Sequence, residues 1–141
     1  MVKIKCYYNV LASNDLVESC SFSDNYTNNL ESSVNIYKYF FISLTWDLYI
    51  SKDVEDHLNL IRKVESEKNS QLYGGGQNFT LRFYPDQVEF LHNEFDEEDG
   101  FPDLSCPLSV FKTVLTAWDA FLRLPKNIHS VVETEIPEWR E

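Results

Sequence analysis

Hydrophobic positions along this chain recur at two spacings, and the spacing predicts the element in each stretch. Val54, Leu58, Ile61 and Val64 lie three and four residues apart, which places them in one buried stripe of a helix. Ser51 is positioned as its N-cap, Asp53, Glu55 and Asp56 load the first turns with favourable charge, and Arg62, Lys63 and Lys68 gather toward the C-terminal end. A second stripe, Leu108, Phe111, Leu115, Trp118 and Leu122 flanked by Val114 and Phe121, follows the Cys106-Pro107 step and stops at Leu124-Pro125. Elsewhere the period is two. Phe79, Leu81 and Phe83 alternate with Thr80, Arg82 and Tyr84; after Pro85-Asp86, Val88, Phe90 and His92 alternate with Glu89, Leu91 and Asn93, so residues 78–95 read as an antiparallel hairpin.

Three further stretches carry weaker signals. From Tyr37 to Ile50 the alternation of Phe40, Ile42, Leu44, Trp46, Leu48 and Ile50 with more polar neighbours predicts a central strand. A helix through Tyr37, Phe41, Leu44 and Leu48 competes, and aromatic and β-branched content tips the choice to the strand. Near the start, composition predicts a strand with Lys3, Cys6 and Tyr8 on one face. The Ser- and Asn-rich stretch from Ala12 to Ser33 reads as a long polar excursion able to frame a binding face, because such residues hydrogen-bond their own backbone. Gly74-Gly75-Gly76 reads as a flexible turn, and Ile128, Val131 and Val132 as a short edge strand. Together these predict an α+β protein, a single domain over residues 1–141, with an antiparallel sheet that includes the 78–95 hairpin packed against helices near 52–67 and 107–123.

Composition adds that a core is affordable within the chain itself: 43% of its 141 residues are hydrophobic and 15% aromatic. Cys6, Cys20 and Cys106 are odd in number and widely spaced, which argues against a disulfide framework and a zinc site and for the cytoplasm. The opening Met-Val-Lys-Ile-Lys-Cys lacks the apolar core of a signal peptide, and no stretch is long and apolar enough to span a bilayer.

Charge changes the picture more. Against 12 basic residues stand 23 acidic ones, for a net charge of −11. From Phe83 to Phe111 there is no lysine or arginine, yet Asp86, Glu89, Glu94, Asp96, Glu97, Glu98, Asp99 and Asp103 are present. From Cys6 to Tyr37 there is again no basic residue beside Asp15, Glu18, Asp24 and Glu31. Such a field repels nucleic acid and anionic membrane and attracts a basic protein. The carboxylates expected to face that partner are Glu94, Asp96, Glu97, Glu98, Asp99 and Asp103, with Trp139 as an exposed aromatic of the tail; Asp86 is assigned to the turn.

Familiar chemistries find little support. Tyr84-Pro85-Asp86 followed by Glu89 suggests a metal nuclease, but the position where lysine would assist water is Leu91. The glycine triplet precedes a strand and lacks the Lys-Ser or Lys-Thr of a phosphate loop, and residues 95–106 lack the calcium ligand spacing of an EF-hand. His57, His92 and His129 fall in separate elements, as helix-surface, strand-face and tail residues. Cys106, at a helix start, reads as a packed thiol, because no histidine partner is identified for it. Trp46 and Trp118 are assigned to the core. No catalytic, cofactor or metal residue is therefore named.

An acidic, aromatic-rich chain without a catalytic signature suits a protein that covers the cationic cleft of a nuclease. The passages Phe79 to Phe95, Asp96-Glu97-Glu98-Asp99-Gly100 and Leu108 to Leu122 give it a hairpin, an acidic loop and a terminal amphipathic helix. In these it resembles the small immunity proteins of bacterial contact-dependent growth inhibition and related polymorphic toxin systems. The resemblance implies a monomeric cytoplasmic inhibitor of a cognate toxin C-terminal domain. That domain would be a basic nuclease, a transfer-RNA nuclease in several such systems, and elongation factor Tu would join through the toxin. The rival classes are a non-enzymatic adaptor or homo-oligomeric scaffold, and a small hydrolase.

Overall fold

The computed structural model describes residues 1–67, 70–93 and 101–139, and everything below concerns those residues. They form two antiparallel sheets and three helices. The chain begins with a hairpin, β1 (Lys3–Val10) and β2 (Leu16–Ser23), paired one-to-one from Lys3 opposite Ser23 to Val10 opposite Leu16. After a short 3-10 turn at Leu30–Ser32 come α1 (Ile36–Ile42), whose last turn widens into a π-helical segment Ser43–Asp47, and α2 (Ser51–Ser66). Then follow β3 (Leu72–Gly75), β4 (Phe79–Phe83), β5 (Gln87–His92), β6 (Leu104–Pro107), α3 (Leu108–Leu122) and β7 (Val132–Glu135). The three-stranded sheet runs β2-β1-β7 and the four-stranded sheet β3-β4-β5-β6.

The predicted α+β class and the two amphipathic helices are present, and the hairpin read over 78–95 is seen as strands spanning 79–92, with residues 94 and 95 outside the described residues. The central-strand reading of Tyr37 to Ile50 is corrected: the segment is helical. Asn35 caps it, its side-chain oxygen accepting from the N–H groups of Tyr37 (2.9 Å) and Lys38 (3.2 Å) while its amide donates to the Leu30 carbonyl. Ile36, Tyr39, Phe40, Ser43 and Leu44 are buried, the three-and-four spacing of a helix face. This helix lies where the two sheets meet. Phe40 has its ring centroid 5.8 Å from Phe22 of β2 and 5.7 Å from Phe90 of β5, while Tyr39 stacks on Phe79 at 4.9 Å. A helix that meets a sheet on either side is apolar around much of its girth, and that blurred the sequence signal.

Other differences are local. The stretch read as a long polar excursion contains β2, whose Cys20 and Phe22 turn inward between serines that pair with β1 or meet solvent. On β1 the inward row is Ile4, Cys6 and Tyr8, so Lys3 belongs to the other face. Ser51 is the first helical residue of α2; the cap position is extended Ile50, with no side-chain cap. Gly74 and Gly75 are strand residues of β3, and Gly75 has φ of +108°, a conformation that glycine adopts without strain. The Cys106-Pro107 step closes strand β6, and Pro107 occupies the cap position of α3.

Helix α3 joins the layers. Phe121 packs on Tyr8 of β1 at 4.8 Å and Phe111 meets Phe90 of β5 edge-on at 5.4 Å. Trp118, fully buried, donates its indole N–H to the Leu48 carbonyl at 2.8 Å, tying α3 to the end of the π-helical segment seventy positions away. Lys112 reaches Glu65 of α2 at 2.9 Å.

Candidate partner-binding surface

The structure distributes the residues named from the charge pattern. Glu94, Asp96, Glu97, Glu98 and Asp99 lie outside the described residues. Asp103 is exposed, beside Pro102, whose carbonyl accepts the Tyr39 hydroxyl. Burial, and after it the Asp103 carboxylate, push that hydroxyl up to about 12. Trp139 corrects the expectation of an exposed aromatic: it is half-buried against the core, in a hollow shared with Val2, Tyr37 and Ile136, and its indole N–H is buried without a hydrogen-bond partner. Asp86 sits in the β4–β5 turn as expected, and its carbonyl accepts the Leu108 N–H.

The largest exposed aromatic of the molecule's first half is Trp46, assigned from sequence to the core and in fact 66% exposed. Its position follows from helix geometry. Trp46 comes seven residues after buried Tyr39, so an unbroken α-helix would return it to the same face. The π-helical turn, in which the Leu48 N–H bonds to the Ser43 carbonyl at 2.8 Å, carries extra residues per turn and rotates Trp46 outward. Thr45 holds the turn by donating its hydroxyl to the Phe41 carbonyl at 2.7 Å.

Asp47 then fixes the segment to the four-stranded sheet. One carboxylate oxygen accepts from the Asn78 N–H (3.1 Å) and side-chain amide (2.8 Å), and the other from the Phe79 N–H (3.1 Å), at the start of β4. Gly76 must stay side-chain-free for this. A Cβ there would come within 2.7 Å of the Asp47 Cβ. The platform under Trp46 is therefore clamped by a carboxylate at one end and by the Trp118 bond to Leu48 at the other.

Trp46 overhangs a groove of about 360 Å³ between the π-helical segment and strand β2. Phe41 and Thr45 form one wall, Leu11 and Val17 contribute apolar surface from the hairpin, and Glu18 is the only charged residue lining it among the described residues. Leu11 and Val17 are themselves exposed, so the groove opens onto a wider apolar patch. Glu18 forms no hydrogen bond or ion pair among the described residues, whereas Glu31 accepts the Phe22 N–H, Asp24 accepts those of Tyr26 and Thr27, and Asp15 takes the Ser13 hydroxyl. Those backbone bonds hold the Asp24 carboxyl below its ordinary range. Three of the four carboxylates in the cation-free stretch thus shape loops and edges, and Glu18 alone of the four has no side-chain hydrogen bond or ion pair among the described residues.

Two of the three histidines and all three cysteines are packed into the fold. His57, read from sequence as a helix-surface residue, is buried: its Nε2 accepts the Gly75 N–H at 2.8 Å, so its Nδ1–H donates to the Asp53 carbonyl at 2.7 Å. His92 packs between Phe79 and Phe101 with centroids 4.9 and 4.7 Å away. Burial raises the thiol of Cys106 far from the reactive range, as it does those of Cys6 and Cys20. Glu89, second carboxylate of the discarded nuclease pattern, faces Arg82 across the β4–β5 pair at 3.8 Å. Among the described residues, no three His, Cys, Asp or Glu side chains gather in a way that would hold a metal. No helix there is long and apolar enough to cross a membrane.

No protein-family model matches the chain significantly, and neither does any curated protein or solved structure.

Proposed function

We propose that this protein is a non-enzymatic, cytoplasmic inhibitor that binds and neutralises a basic nuclease toxin domain, in the manner of the immunity proteins it resembles. The observation that carries the proposal is Trp46: a large aromatic held out on a clamped π-helical turn, beside an apolar groove with one unengaged carboxylate, on a chain of net charge −11. Tryptophan is among the residues that most often dominate a protein interface, and truncating such an anchor costs about 2 kcal/mol or more. The negative field steers a cationic partner to the surface and raises association rates by roughly ten- to a thousand-fold at low salt. Asp103 and the carboxylates Glu94 and Asp96 to Asp99 belong to the same field, and elongation factor Tu enters only as a companion of the toxin.

Expression with the product of the adjacent gene tests this. The expected result is a stable complex in which the basic domain no longer cuts RNA or DNA. A pure protein that turns over a substrate alone, or that assembles only with itself, would sink the proposal in favour of the hydrolase or the scaffold.

A further inference from the structure

Resting on that reading, we infer that strand β2 is a docking edge, to which an extended cationic segment of the partner adds as a further strand of the β2-β1-β7 sheet. Among the described residues, β2 lies at the edge of its sheet and has a strand neighbour on one side only. The Phe22 N–H points away from β1, since it donates to the Glu31 carboxylate at 3.0 Å. The β1–β2 register continues one-to-one without a bulge, so the backbone groups of Cys20, Glu18 and Leu16 also point outward. Glu31 thus occupies the edge at its Phe22 end, and Cys20 is fully buried. Leu16 and Glu18 remain, with no backbone hydrogen bond on that side among the described residues, and it is at Glu18 that the groove under Trp46 opens.

The groove's chemistry selects the occupant. An extended segment seated on Leu16 and Glu18 exchanges backbone hydrogen bonds with them, the general mode of strand addition. Its side chains alternate, so those on one face enter the apolar slot between Phe41, Val17 and Trp46. A lysine or arginine on the segment meets the Glu18 carboxylate, which has no competing cation nearer in sequence than Lys5 or Lys38. The net charge of −11 disfavours a second copy of the chain in the same place.

The test is fluorescence anisotropy with a labelled octapeptide of alternating lysine and valine, and with two versions N-methylated at every lysine or at every valine amide. Strand addition needs the N–H groups of one face only, so one N-methylated version is expected to lose at least ten-fold in affinity while the other binds like the parent. Glu18→Pro removes an outward N–H without touching the β1 ladder, a substitution that edge strands tolerate, and is expected to weaken binding as much as that N-methylation. Glu18→Gln is expected to weaken it only a few-fold and to flatten the salt dependence. Equal binding by all three peptides would overturn strand addition and leave the basic-partner reading standing. An alternating glutamate-valine peptide that binds as tightly as the lysine-valine one would overturn the basic-partner reading itself. A dimer that Glu18→Pro dissolves, seen by sedimentation, would overturn the choice of a foreign segment.

Discussion

Asp47→Ala should be among the most informative single changes in this protein, because one carboxylate both stabilises the fold and fixes the candidate site. It removes the acceptor of three hydrogen bonds, to the Asn78 N–H, the Asn78 amide and the Phe79 N–H. Phe79 is fully buried, so its N–H cannot turn to water; an orphaned buried donor costs about 1–3 kcal/mol. Asn78 is half-buried and regains solvent for its side chain, so its two bonds contribute about 0.5–1 kcal/mol each. The sum is about 2–5 kcal/mol of stability. With a urea slope of about 2 kcal/mol per molar, the denaturation midpoint should fall by roughly 1–2.5 M with the slope unchanged. Trp46→Ala, at a side chain that is mostly in water, should shift the midpoint by less than about 0.3 M, the ±0.5 kcal/mol of an ordinary surface change. Both variants should bind the basic partner more weakly, Asp47→Ala by freeing the platform and Trp46→Ala by removing the anchor. If Asp47→Ala leaves the midpoint within the Trp46→Ala range, the clamp has been misread and Trp46 is not held by it.

Two further outcomes test the frame. Trp118→Phe deletes the donor to the Leu48 carbonyl and opens space in a fully buried site, so it should cost about 2–4 kcal/mol by urea denaturation; a cost under 1 kcal/mol would mean that this bond does not tie α3 to the π-helical segment. Stability should also fall on the alkaline side. Burial pushes Cys6 from 9.0 up to about 12, and Cys20 and Cys106 upward as well, so the folded chain keeps thiol protons that the unfolded chain releases above pH 9. The unfolded state then binds fewer protons and gains, by about 1.4 kcal/mol per pH unit for each buried thiol, with the contribution intact below pH 9 and lost toward the folded value. Denaturation at pH 8 and pH 10 should differ by about 4 kcal/mol for the three together, and Cys20→Ala should reduce that difference by about a third. An unchanged midpoint would show that the thiols ionise in the native state.

How much of this was legible depends on how far each element's surroundings are local. Helices α2 and α3 and the 79–92 hairpin each bury one face, so Val54, Leu58, Ile61 and Val64, or Phe79, Leu81 and Phe83, announce their period directly. Helix α1 meets a sheet on either side, and its aromatics satisfy two periods at once. Strand β2 was hidden because the residues alternating with Cys20 and Phe22 are serines, whose composition suggests a loop. The net negative charge was plain from the chain, but the exposure of Trp46 was not. Trp46 is exposed only because a π-helical turn rotates it off the Tyr39 face, a turn held by Asp47 on residues thirty-one and thirty-two positions away. The one signal available in advance was the position of Trp46 beside Asp47 at the end of an apolar run. Trp139 failed in the opposite direction: a terminal aromatic among acids looked free, but the Ile136 N–H bonds to the Val2 carbonyl and draws the tail against the core.

The most direct measurement of the central claim is the affinity of the wild-type protein and of Trp46→Ala for a basic toxin domain of the kind proposed as its partner, titrated at increasing salt. The account predicts that wild-type binding weakens steadily as salt rises, and that Trp46→Ala loses about thirty-fold or more, the equivalent of about 2 kcal/mol, while its denaturation midpoint is unchanged. Equal affinity of the two proteins at every salt concentration would contradict it.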